Sequence, residues 1–122
     1  VNLHYQLCDG KVELDKSKGL LCTRYPGNSN VVLRCFGPDN LQIEEEEGWY
    51  SIAYRQRTKR PAVTFNAEKS TGETIRYVTV IYPQEQVKKS MKISASIKNA
   101  TTDRMKVEVN VNGRKRTLSY EL

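Results

Sequence analysis

The stretch EEEEGWYSIAYRQRTKRPAVTFNAEKSTGETIRYVTVIYP, Glu44 to Pro83, decides the fold class. Its apolar positions repeat with period two, the spacing that puts alternate side chains on opposite faces of a strand. Trp49, Ser51 and Ala53 alternate with Tyr50, Ile52 and Tyr54. Pro61 admits a strand start or an edge strand but not a central one, because it has no N–H to give a ladder. Val63 and Phe65 follow. Thr71-Gly72 turns into the run Thr74 to Tyr82, which is apolar on both faces and reads as a strand buried on both sides. Its predicted buried positions are Ile75, Tyr77, Val78, Val80 and Ile81.

The pattern extends outward in both directions. Toward the N-terminus, Leu3, Tyr5 and Leu7 alternate with His4, Gln6 and Cys8, and Asp9-Gly10 gives a tight-hairpin signal before Val12 and Leu14. Leu20 to Arg24 reads as a strand, Pro26 to Asn30 as a loop, Val31 to Phe36 as a strand and Gly37-Pro38-Asp39-Asn40 as a turn. Toward the C-terminus, Met91, Ile93, Ala95 and Ile97 alternate with Lys92, Ser94, Ser96 and Lys98. Met105, Val107, Val109 and Val111 repeat the alternation. Asn112-Gly113 is a type I′ hairpin signal, returning through Arg114 to Tyr120. No helix is predicted. The expectation is an all-β fold: an antiparallel two-layer β-sandwich-like domain of about ten strands, with residues 1–122 as a single domain.

The 122 residues, 38% hydrophobic and 28% charged, suit one globular domain with its own core. No apolar run approaches the ~20 residues of a membrane-spanning helix. The opening VNLHYQL reads as a strand rather than a leader, so the chain is expected to be a piece of a longer polypeptide. Cys8, Cys22 and Cys35 lack metal-type spacing and are expected as buried thiols, with one disulfide and a leftover thiol as the alternative. Net charge is +6, but unevenly spread. Residues 1–54 carry five Lys/Arg against eight Asp/Glu, and residues 55–122 carry fifteen against six. The basic half can steer an anionic partner, or serve as a solvated, Lys-protected strand face.

The chemistry-bearing residues are few. His4 is the single histidine, with no sequence neighbour that frames a catalytic or metal site, and it is expected to face solvent or a neighbouring domain. Glu44 to Glu47 read as a solvated strand end or as partners for nearby arginines. No catalytic residue, metal ligand or cofactor is predicted. The candidate site is a cationic and aromatic cluster. Arg55, Arg57, Lys59 and Arg60 are candidate polyanion contacts, and Trp49, Tyr50 and Tyr54 are candidates for sugar stacking or a domain interface. A plain polar loop is the competing reading. Lys88, Lys89 and Lys92 form a second basic cluster and Arg114 to Arg116 a third, which strand alternation splits across two faces unless it lies in the turn. Asn99-Ala100-Thr101 fits a glycosylation sequon.

The same central stretch resembles the C-terminal β-domain of the heparinase II/III-like polysaccharide lyases. The resemblance is carried by Glu44 to Trp49, by Tyr54 and the basic residues after it, by Arg60-Pro61-Ala62, and by Gly72 to Pro83; Val1 to Leu7 resembles that domain's start. It implies a parent with an α-helical toroid and β-sheet layers, exported to the periplasm or beyond. That parent would cleave heparin-like, uronic-acid-containing glycosaminoglycans by β-elimination. The family's Asn, Tyr and His machinery has no matching positions here. The resemblance therefore implies a non-catalytic structural or accessory domain. Its partners would be the upstream toroid and β-domains of the same chain, and a sulfated or uronic-acid polysaccharide. Two rival readings are an independent carbohydrate- or polyanion-binding module and a nucleic-acid-binding β-fold; the acidic run argues against the second.

Overall fold

The computed structural model describes residues 1–86 and 91–121. Ten strands follow one another: β1 (Asn2–Gln6), β2 (Lys11–Asp15), β3 (Leu20–Arg24), β4 (Asn30–Phe36), β5 (Gln42–Tyr50), β6 (Thr58–Asn66), β7 (Val78–Gln84), β8 (Ile93–Lys98), β9 (Arg104–Val111) and β10 (Arg114–Glu121). A 3-10 turn, Lys16–Lys18, joins β2 to β3. The strands form three antiparallel sheets, ordered β1-β6-β5, β2-β3-β4-β7 and β8-β9-β10. The all-β, ten-strand expectation is met, and the third sheet is an addition to it.

The first two sheets face each other and share the main core. Leu21, Leu33 and Cys35 come from the second sheet, and Ile43, Val63 and Phe65 from the first. Register explains the set: Leu21 lies opposite Leu33 and Ile43 opposite Phe65, so each pair shares one sheet face. The Tyr5 ring meets Phe65 edge-on, with centroids 5.7 Å apart and planes at 83°. The Tyr5 hydroxyl donates to Thr79 Oγ1 at 2.8 Å, tying β1 to β7 across the layers. Burying an aromatic ring of this size stabilises by roughly 1.5–3 kcal/mol.

The second sheet has another face, and the third sheet approaches it. Val32 points that way and is fully buried. The Arg34 guanidinium donates to the Ile93 carbonyl, and Ile93 and Val107 are buried. Coverage stops at β10, all eight of whose residues are exposed. The Asn112-Gly113 signal is realised, with both residues at positive φ (50° and 86°) and Arg114 opposite Val111.

Six expectations need correction. The run from Thr74 is extended only from Val78 onward. Val78 pairs with Phe36, the last residue of β4, so among the described residues no strand pairs with Thr74 to Tyr77. Nor is β7 buried on both sides: Ile81 is 56% exposed and Tyr82 37%, because β7 is the edge of its sheet. Tyr77 packs on the main core, while Ile75, Val78 and Val80 are half-buried.

The strand read through Tyr54 ends at Tyr50, and residues 51–57 form a connection. Pro61 sits inside β6, the central strand of the first sheet. Its carbonyl accepts from Leu7 N at 3.0 Å, on the side where β1 has already ended at Gln6. The missing N–H points to the same side, at the end of β1, so it removes only a terminal bond of that ladder.

Asp9-Gly10 does not close a hairpin, because β1 pairs with β6 and β2 with β3. It carries the chain from one layer to the next. Gly10, at φ 142°, lies so close to Tyr25 that a Cβ would sit 2.5 Å from the ring. The cysteines are all free, with Cys8 exposed, Cys22 half-buried and only Cys35 buried. Cys8 lies past the end of β1, where alternation no longer determines burial.

Candidate polyanion-binding hairpin

β5 and β6 pair over nine residues, and this hairpin carries every predicted site residue. Tyr50 lies opposite Thr58, Trp49 opposite Lys59 and Gly48 opposite Arg60. The tip is held locally. Ser51 Oγ donates to the Ala53 carbonyl at 2.7 Å, and Gln56 N donates to the same carbonyl at 3.0 Å. Arg55 takes a positive φ of 62° to complete the turn. Ile52 and Tyr54 project from it, 76% and 87% exposed.

Each cation sits on an aromatic ring. The Arg57 guanidinium is 4.1 Å from the Trp49 centroid, Arg55 is 5.3 Å from Tyr54, and Arg60 is 5.7 Å from Tyr50. Lys59 Nζ lies 5.2 Å from the Trp49 ring, but it also bonds Glu47 Oε2 at 2.7 Å, which offsets its charge. Among the described residues, Arg55, Arg57 and Arg60 have no carboxylate within ion-pair distance. A guanidinium resting on a ring keeps its in-plane N–H fork directed outward, the geometry that sulfate and carboxylate oxygens accept. Arg60 is the most constrained. Its stem crosses Gly48, where a Cβ would fall 3.2 Å from Arg60 Cγ, and its Nε is buried without a hydrogen-bond partner.

Trp49 and Tyr50 are half-buried beneath these cations, so the three aromatics do not form one bare platform. Tyr54 is the aromatic left open.

Glu44 to Glu47 lie within β5 rather than at a strand end, all exposed. Their partners are a lysine and the histidine, not arginines: Glu47 pairs with Lys59, and Glu46 Oε2 lies 3.4 Å from His4 Nδ1. His4 Nδ1 also shares a 2.8 Å hydrogen bond with Thr64 Oγ1, a residue only 2% exposed. This trio was not visible in the sequence, since alternation does not say that β1 and β5 flank the same strand. It fastens β1 and β5 to β6. Among the described residues, no group of three or more His, Cys, Asp or Glu side chains is placed to hold a metal.

Of the other basic clusters, Lys88 and Lys89 lie outside the described residues and Lys92 is exposed. Arg114 and Arg116 share a face of β10, with Lys115 opposite, as alternation requires. Asn99 is exposed at a positive φ of 49° between β8 and β9. Among the described residues, no helix is long and apolar enough to cross a membrane.

Comparison with known proteins gives a consistent result. No family model matches the chain. It is 40% identical over 124 residues to a heparin-sulfate lyase of Bacteroides stercoris, a match covering 100% of this chain and 19% of the relative. The chain is related to the heparin-sulfate lyases. A second such lyase, from Bacteroides thetaiotaomicron, is 33% identical over 130 residues, covering 100% of this chain and 18% of the relative. A solved heparinase III superposes with a TM-score of 0.91 at 39% identity, over 99% of this chain and 19% of that one. The chain thus spans about a fifth of the length of the heparin-sulfate lyases it matches.

Proposed function

We propose that this chain is the non-catalytic C-terminal domain of a larger, exported lyase that cleaves heparin-like glycosaminoglycan by β-elimination. In it, the β5–β6 hairpin presents Arg55, Arg57 and Arg60 to the sulfated chain. The observation that carries this reading is the set of ring-supported guanidinium groups without carboxylate partners, on a domain related to heparin-sulfate lyases. Elimination next to a uronate needs a group that neutralises the carboxylate and a base for the C5 proton. The single imidazole here is engaged by Thr64 and lies beside Glu46, on the β1-β6-β5 sheet rather than at the cationic tip. That placement favours support and steering over proton transfer. Elimination is followed by the ultraviolet absorbance of the unsaturated uronate product. The chain alone is expected to yield none from heparan sulfate while being retained by immobilised heparin in a salt-dependent manner. Product formation by the chain alone would overturn the non-catalytic assignment.

A further inference from the structure

Beside the outer edge of β7 runs a groove of about 560 Å3. One wall consists of the consecutive residues Tyr77 to Ile81. Consecutive residues of an extended chain point to both faces in turn, so the groove follows the backbone edge rather than one face. No strand among the described residues pairs with that edge. The opposite wall is mostly apolar, with Val107 and Val109 of β9 and Leu118 of β10 beside Arg116 and Thr117. The groove's apolar lining is open to solvent, with Ile81 56% and Leu118 63% exposed, and Tyr120, 57% exposed, extends the apolar surface beyond it. Arg116 lines the groove, and Arg114 lies on the same face of β10. Unpaired edges and contiguous exposed apolar side chains mark places where further polypeptide attaches.

We propose that this groove is the seat of an extended, apolar segment with acidic flanks, supplied by the remainder of the same lyase polypeptide and pairing with the β7 edge. The inference rests on the domain reading above. It is favoured over a second copy by the relatives' size, since they carry about four-fifths of their length outside the matched part. It is favoured also by charge, because β10 offers arginines to a partner that must answer with carboxylates. Strand addition gives backbone hydrogen bonds, and Leu118 and Val109 give pockets for alternate side chains.

The test mixes this chain with the Bacteroides stercoris lyase from which the matched fifth has been removed, and follows assembly by sedimentation at micromolar concentration. A one-to-one complex is expected. Leu118→Asp combined with Ile81→Asp is expected to weaken it by at least about tenfold, as is Arg116→Glu. Arg55→Ala with Arg57→Ala is expected to leave it unchanged. Both residues of the first variant are exposed in the free chain, so its melting temperature serves as the folding control. A complex indifferent to Leu118→Asp and Ile81→Asp would overturn the groove while leaving the domain reading intact. The absence of any complex, or self-association of the chain through these residues, would overturn the groove's assigned occupant. Heparin retention by the Leu118→Asp, Ile81→Asp variant tests the hairpin separately.

Discussion

The two faces of the central sheet differ in completeness. On one, β1, β6 and β5 close over Leu21, Leu33 and Cys35, and Phe65 is fully buried. On the other, Val32 is equally buried, but the covering sheet ends in a strand exposed along its whole length. The first interface accounts for why 122 residues hold together. The second resembles half of a contact.

The largest expected effect lies on the closed side. Phe65→Ala removes the ring that meets Tyr5 and is expected to cost about 3–5 kcal/mol in urea denaturation. A cost under about 1 kcal/mol would break the comparison, because the closed face would not then be what holds the fold. Gly10→Ala comes next, at about 1–3 kcal/mol, since it combines a φ of 142° with a Cβ 2.5 Å from Tyr25. On the open flank, Leu118→Ala in the free chain is expected to stay within about 0.5 kcal/mol. A loss comparable to that of Phe65→Ala would show that the flank is already closed.

The thiols sharpen the same contrast. Burial pushes both Cys35 and Cys22 above the ordinary thiol range, and for Cys35 a hydrogen bond from Thr79 partly opposes it. A raised folded-state value favours the protonated thiol, so this contribution to stability is intact below the unfolded thiol value, about 8.5, and declines as pH rises through the folded values. A small loss of stability above that pH is expected, removed by Cys35→Ser with Cys22→Ser in a matched pH series. Labelling by a thiol reagent at neutral pH is expected to run in the order Cys8, Cys22, Cys35.

Most of the strand pattern was legible in the sequence because alternation is a local signal. β4, β8 and β9 fall where Leu, Val, Ile and other apolar residues recur every second residue, and Asn112-Gly113 announces its own turn. What failed was whatever depends on a partner. Asp9-Gly10 has hairpin chemistry, yet β1 finds β6 rather than β2. Thr74 to Tyr77 has strand composition, yet β4 ends before reaching it. The candidate cations were legible one by one, because Trp49, Tyr50 and Tyr54 are followed at once by Arg55, Arg57, Lys59 and Arg60. The stacking of Arg57, Lys59 and Arg60 was not, nor was the pairing of Lys59 with Glu47, since these depend on how β5 and β6 come together. The His4, Thr64 and Glu46 trio draws on three strands and had no sequence signal at all.

The most direct test measures retention on immobilised heparin against a non-sulfated uronan across a salt gradient, for the wild-type chain and for Arg55→Ala with Arg57→Ala. The wild-type chain is expected to bind heparin more tightly, to lose that binding as salt rises, and to elute at clearly lower salt once both arginines are gone, with its melting temperature unchanged. Equal retention on the two polymers, or a double variant that elutes with the wild type, would contradict the assignment of the hairpin.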